Sequence, residues 1–140
     1  MRPRPEIGFK EIEHTADNAL LVSGGSWEEL LENAARGMNS LMLRDVSTIG
    51  TQTQKQISVK APDAEGLLVE WLSELAYWAE KELLVFTRFE FQQVTSTIAQ
   101  ATLYGGHVKK VRQHIKAVTY HNLEIIKADK GLTATVVFDV

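Results

Sequence analysis

Apolar residues recur every three or four positions after Ser26, a spacing that predicts an amphipathic helix over about residues 26–44. The positions that share this stripe are Trp27, Leu30, Leu31, Ala34, Ala35, Met38, Leu41 and Met42. Ser26 and Glu29 have the spacing of a capping box, in which the hydroxyl accepts from the Glu29 amide and the carboxylate reaches back to Ser26. A stripe of this kind is typical of a helix that faces a core, not of a cofactor site.

A second helical pattern covers about residues 64–81 and follows Ala61-Pro62-Asp63, which places Asp63 at the N-cap. The apolar positions of this helix are Leu67, Leu68, Trp71, Leu72, Leu75, Trp78 and Ala79. Glutamates occupy most of its remaining positions. Two tryptophans on one apolar face indicate a core anchor and give no evidence of a ligand.

Alternating or apolar runs predict strands at about residues 8–13, 19–22, 51–59, 83–91, 96–103, 115–126 and 132–139. We expect Gly105-Gly106 to form a turn, residues 107–113 to be a basic connection, and the last two strands to form a hairpin. Strand pairs alternating with two helices favour an α+β fold, with antiparallel sheet on which both helices pack. The strand order does not follow from the pattern.

Composition favours one globular domain spanning residues 1–140, since 44% of the residues are hydrophobic and 24% are charged. No run of apolar residues is long enough for a membrane span, and Met1-Arg2-Pro3-Arg4-Pro5 lacks the apolar segment of a signal peptide. The chain contains no cysteine, which fits a cytoplasmic protein and excludes a thiolate metal site. We therefore expect a soluble cytoplasmic protein with no membrane partner.

Charge is distributed unevenly along the chain. The stretch 92–122 has no Asp or Glu but contains Lys109, Lys110, Arg112 and Lys116, so its net charge is +4. Because the net charge of the whole chain is −3, the rest of the chain has a net charge of −7. Lys109, Lys110 and Arg112 are candidate contacts for a phosphate or an acidic partner. Ordinary solvated surface lysines are the alternative interpretation.

Two acidic segments, near residue 17 and at residue 139, are the candidates for chemistry. Asp139 ends an apolar strand and lies beside the α-carboxylate of Val140, and the repulsion between these charges favours a bound cation or a basic side chain. If Asp17 folds beside them, with His14 close by, the oxygen-rich cluster suits a hard divalent ion. The predicted hairpin brings Lys116 toward Asp139, so Lys116 is an alternative counter-charge. A third interpretation leaves Asp17 in a local turn and Asp139 solvated.

The sequence contains no motif that indicates an enzyme by itself. Gly24-Gly25 and Gly105-Gly106 lack the context of a phosphate loop, and there is no nucleophile elbow, kinase signature or zinc-binding HExxH segment. The four histidines are scattered without metal-binding spacing. In the predicted long strand, Thr119 and His121 share one face.

Three segments together resemble the archease family: Glu13-His14-Thr15-Ala16-Asp17, residues 116–124 and Phe138-Asp139-Val140. The order of a capped helix, a second helix with Leu-Leu-Val-Glu-Trp-Leu and a following Leu84-Val85-Phe86 also agrees. The resemblance implies a small accessory protein, not an enzyme, that serves an RtcB-type tRNA-splicing RNA ligase and contacts RNA at most indirectly. Such a protein promotes guanylylation of the ligase's active-site histidine, so that the ligase turns over repeatedly in tRNA splicing or RNA repair.

The resemblance also implies a metal site built from acidic residues, which falls on Asp17 and Asp139, together with Val140. Calcium is the expected ion, with magnesium or manganese as alternatives. Further site candidates implied by the matching segments are Glu13, His14, Lys116, Thr119 and His121. The chain departs from the family at Gly105-Gly106-His107, where members often carry an acidic residue in a loop, and at Asn18-Ala19, where an apolar residue and glycine are more usual.

The residues by themselves are also consistent with two other functions. A metal-dependent hydrolase would use the same carboxylates with His14 or His121 as general base, and it would turn over without a partner. An RNA-binding module would use the basic stretch 107–116 and bind RNA in a salt-sensitive way.

Overall fold

The fold is α+β, as predicted: two helices are combined with two antiparallel sheets in a computed structural model that describes residues 8–13 and 18–140. In chain order the elements are β1 (Phe9–Glu13), β2 (Asn18–Gly24), α1 (Trp27–Met42), β3 (Thr53–Lys60), α2 (Ala64–Glu82), β4 (Leu84–Val94), β5 (Ile98–His107), β6 (Ala117–Thr119), β7 (Ile126–Ala128) and β8 (Gly131–Asp139). No helix in the described part of the chain is long and apolar enough to cross a bilayer.

Both helices begin where the sequence predicts. The Ser26 hydroxyl accepts a hydrogen bond from the Glu29 amide at 3.1 Å, and the Asp63 carboxylate accepts from the Gly66 amide at 2.7 Å. The Glu29 carboxylate accepts from the amide of Gly25, one residue before the predicted partner. Local side-chain chemistry therefore determines both N-termini.

The larger sheet has the order β1-β2-β8-β6, and β7 also pairs with β8. The closing strand β8 is thus the central strand, with β2 on one side and the two short strands on the other. The predicted single strand over residues 115–126 is wrong, because the chain leaves the sheet after Thr119 and returns only at Ile126.

The physical reason for this interruption is a turn between β6 and β7. The amide of Leu123 donates to the carbonyl of Tyr120 at 3.0 Å, and Asn122 has a left-handed φ of 50°. The amide of Ile125 then donates to the Glu65 carboxylate at the start of α2. From this position Leu123 and Ile125 pack, partly buried, against the core.

The smaller sheet has the order β3-β5-β4. The prediction that Gly105-Gly106 forms a turn is wrong, since both glycines lie inside β5, opposite Phe86 and Val85 of β4. A Cβ atom added to Gly105 would lie 2.0 Å from the carbonyl oxygen of Val85. Glycine is needed here for close backbone approach within the sheet, not for a change of direction.

The core joins the helices to both sheets. Helix α1 packs mainly on β2 and β1, and α2 packs on the smaller sheet and on β6. The fully buried Trp71 on α2 donates its indole N–H to the carbonyl of Leu31 on α1 at 2.9 Å. The Asn39 side chain on α1 donates to the carbonyl of Phe86 on β4 at 2.8 Å. These contacts join the two helices to each other and α1 to the smaller sheet.

Candidate functional site: a carboxylate at a sheet end and a basic strap

The ends of β2, β6 and β8 meet at one end of the larger sheet. Asn18 pairs with Phe138 across β2 and β8, and Ala117 pairs with Asp139 across β6 and β8. The amide of Lys116 donates to the carbonyl of Asp139 at 2.8 Å. Two of the three segments that carry the family resemblance are therefore direct neighbours.

The side chain of Asp139 is exposed at this sheet end. Because paired residues of antiparallel strands project to the same side, Asp139 shares one face of the sheet with Ala117, and Val137 shares that face with Ala19 and Thr119. The opposite face, which includes Phe138, is buried against the helices. The carboxylate of Asp139 is thus open to a ligand or a partner.

The first acidic segment falls largely outside the described residues. His14 and Asp17 lie there, as does the side chain of Glu13. Residues 14–17 connect Glu13 to Asn18, which are paired with each other in β1 and β2. Within residues 8–13 and 18–140, no group of three His, Cys, Asp or Glu side chains is placed to hold a metal ion. The metal site stays a prediction.

Lys116 lies beside Asp139 through its backbone. Among the ion pairs of the described residues, none joins the Lys116 ammonium to the Asp139 carboxylate. The predicted hairpin contact is thus made by main-chain atoms, and both charged groups are exposed.

Thr119 fixes the turn that follows β6. Its hydroxyl donates to the carbonyl of Val137 at 2.9 Å and accepts from the amide of His121 at 3.3 Å. The Asn122 amide group lies 3.3 Å from Nε2 of His121. The prediction that Thr119 and His121 share a strand face does not hold, because β6 ends at Thr119. The hydroxyl instead holds the turn against β8, two residues before Asp139.

Residues 108–116, the basic strap, run from the smaller sheet to the end of the larger one. The strap is held by main-chain hydrogen bonds, in which the amides of Val108, Arg112 and Lys116 donate to the carbonyls of Leu83, Met42 and Asp139, respectively. The side chains of Val111 and Ile115 are buried, which adds apolar anchors between these bonds. The predicted basic connection is therefore an ordered segment of the fold.

Arg112 differs from the other two predicted partner contacts. Its guanidinium donates to the carbonyls of Ser40 and Leu41 at 3.3 and 3.5 Å, in the last turn of α1. That turn contains no basic residue of its own, so Arg112 supplies the positive charge that a helix C-terminus favours. Lys109 and Lys110 are exposed, and neither has an ion-pair partner among the described residues.

Replacing Arg112 by Ala is expected to lower the free energy of unfolding by about 1 kcal/mol, since a charge-assisted helix cap is lost. Lys109→Ala is the matched control and should change it by less than about 0.5 kcal/mol. Urea unfolding followed by circular dichroism measures both. Equal stability of the two variants would show that the guanidinium does not support α1.

Sequence reasoning missed one contact beside the strap. Nδ1 of His114 lies 2.7 Å from a carboxylate oxygen of Glu80, which ties the strap to α2. The two residues are separated by a sheet strand pair along the chain, and no local pattern relates them.

Comparison with known proteins identifies the family. Residues 9–140 match the Archease protein family (MTH1598/TM1083). The chain belongs to the archease family. Protein archease of Methanosarcina mazei is 34% identical over 140 residues, covering 94% of this chain and 95% of that protein. Protein archease of Methanosarcina barkeri is 38% identical over the same length and coverage.

Two solved structures extend this similarity to the archease fold. The solution structure of Methanobacterium thermoautotrophicum protein 1598 has a TM-score of 0.77 at 28% identity and covers 95% of this chain and 99% of that one. A crystal structure described as an archease, possible chaperone, from Thermotoga maritima has a TM-score of 0.64, also at 28% identity, covering 94% and 96%. The archease assignment thus rests on sequence and fold over nearly the whole chain.

Proposed function

We propose that this archease-family chain is a non-enzymatic activator of an RtcB-type RNA ligase. In this role it promotes guanylylation of the ligase's active-site histidine and thereby multiple turnover in tRNA splicing or RNA repair. The observation that carries the proposal is the convergence of β2, β6 and β8, which puts Asp139 beside Lys116 at an exposed sheet end. The resemblance to archeases, which the family match supports, implies a ligase as the class of partner.

The proposed contact site contains Asp17, Asp139 and the carboxylate of Val140, with a divalent cation held between them. Asn18, the residue that follows Asp17 in the chain, pairs with Phe138, the residue that precedes Asp139. All donors in this set are carboxylate oxygens, which suit calcium first and magnesium or manganese as alternatives. When bound, such an ion supplies positive charge that stabilises phosphate oxygens.

The residues of the chain itself orient this site. Thr119 holds the 120–122 turn to β8, and the main-chain bond from Lys116 holds β6 to the residue that carries the acid. Both restraints lower the entropy lost when a partner docks. Activation further requires that the chain bind the guanylylation-ready ligase more tightly than the other ligase state, because equal affinity shifts no equilibrium.

The test is single-turnover guanylylation of a partner ligase with GTP and metal, in the presence and absence of this protein. We expect the rate to rise at least about tenfold, which corresponds to about 1.4 kcal/mol of stabilisation. The protein alone, incubated with RNA and phosphoesters, should release no product. An unchanged ligase rate contradicts the activator, and turnover without ligase favours the hydrolase.

A further inference from the structure

A cleft separates α2 from the basic strap, next to the carboxylate site. It has a volume of about 270 Å³. Its walls are formed by Ser73, Ala76, Tyr77 and Glu80 of α2 and by residues 115–118, which close the strap and begin β6. Ile115 and Val118 are buried in its floor, so the cleft is apolar at the bottom and polar at the rim.

The rim presents an aromatic ring and one lysine, Lys116, and the strap that leads to it carries two more lysines. Tyr77 is 52% exposed, although it lies on a core helix. Lys109, Lys110 and Lys116 are exposed, and none of them forms an ion pair in the described part of the chain. Exposed tyrosine beside a small apolar hollow is the composition of a protein interface centre, and lysines are tolerated at its margin.

The cleft is also pre-organised. The contact between His114 and Glu80 bridges the strap and α2, and main-chain hydrogen bonds from Val108, Arg112 and Lys116 hold the two ends and the middle of the strap. A partner that docks here meets a surface that is already ordered, so the entropy cost of association falls mainly on the partner.

We propose that this cleft and strap form a docking surface for an acidic segment of a protein partner. An apolar side chain of the segment fills the hollow beside Tyr77, and its carboxylates face Lys109, Lys110 and Lys116. The inference rests on the proposed function, because the RNA ligase is the partner to which it assigns this surface. The strap ends at the main-chain bond to Asp139, so a segment docked on it leads directly to the carboxylate site.

Charge favours a protein over RNA as the occupant. Glu80 lies in the cleft wall, and the chain outside the stretch 92–122 carries −7, so a long phosphate backbone that extends past the three lysines meets net negative charge. A protein segment with a few carboxylates matches the local cations and avoids that repulsion.

The test measures affinity of the full chain for the partner ligase by titration calorimetry at two salt concentrations. Lys109→Glu with Lys110→Glu, and separately Tyr77→Ala, should each raise Kd at least about tenfold, equivalent to about 1.4 kcal/mol. Lys60→Glu with Lys130→Glu makes the same charge change at exposed sites away from the strap and should leave Kd within about twofold. Circular dichroism confirms that each variant is folded.

Unchanged ligase affinity of the strap and Tyr77 variants overturns the docking surface. It is also overturned if those variants lose only affinity for a single-stranded RNA oligonucleotide, which would assign the strap to RNA. Failure of the proposed function looks different: the wild-type chain binds the ligase through the strap but does not raise its guanylylation rate. That result would support the docking surface and contradict the activator role.

Discussion

Asp139→Asn is expected to remove most of the stimulation of ligase guanylylation. The substitution keeps the size of the side chain but removes the negative charge from the exposed end of β8. Loss of one interaction with a charged group costs about 2–3 kcal/mol, which is about 30- to 150-fold in rate. Stability should change by less than about 0.5 kcal/mol, because the carboxylate is exposed and makes no hydrogen bond or ion pair among the described residues.

Asp129→Asn is the matched control, since Asp129 is an exposed aspartate in the β7–β8 turn at the opposite end of β8. This variant should stimulate guanylylation as well as the wild-type chain does. A folded Asp139→Asn protein that stimulates fully would exclude the sheet-end carboxylate from the mechanism. It would leave family membership and the strap as the remaining basis for a partnership with the ligase.

Gly105→Ala is expected to have the largest effect on stability. An added Cβ would meet the carbonyl oxygen of Val85 at 2.0 Å and Cα of Phe86 at 2.7 Å. Both atoms belong to the backbone of the paired strand, so no side chain can move aside and β4 must separate from β5. We expect a loss of about 3 kcal/mol in the free energy of unfolding, at the upper end for overpacking.

Gly25→Ala provides the comparison, because the nearest atom to its added Cβ is a flexible carboxylate oxygen of Glu29 at 3.8 Å. This variant should unfold within about 0.5 kcal/mol of the wild-type chain. Urea denaturation followed by tryptophan fluorescence measures both. If the two alanine variants unfold at the same midpoint, the close approach of β4 and β5 is not a constraint on residue 105.

The two helices were predictable because their determinants are local. Ser26 and Asp63 cap the first turns by hydrogen bonds to amides three residues later, and the apolar stripes have helical spacing. Asp139 was also predictable as a candidate, since an acid at the end of an apolar strand is visible in the sequence alone. These features depend on residues within a few positions of each other, where chain geometry leaves little choice.

The pattern of apolar and polar positions could not predict contacts between residues that are far apart in the chain. Gly105-Gly106 has the composition of a turn, and only the pairing with β4 shows that the glycines serve close strand approach. Arg112 belongs to a basic run in the sequence, yet its side chain caps the C-terminus of α1 through Ser40, 72 positions earlier in the chain. The 115–126 segment has strand composition, but the turn closed by Leu123 and the hydrogen bond from Ile125 to Glu65 interrupt the strand.

By itself, the amino-acid sequence determined the α+β class, both helix starts and the acid and basic segments that carry the candidate chemistry. The tertiary structure alone decided that β8 lies between β2 and β6, that the predicted proximity of Lys116 to Asp139 takes the form of a main-chain hydrogen bond, and that the strap is anchored at Val108, Arg112 and Lys116. The reason is physical: helix caps and periodicity are satisfied within one or two turns of chain. Strand order and strap anchoring instead minimise the free energy of the whole core and have no signature in any short stretch.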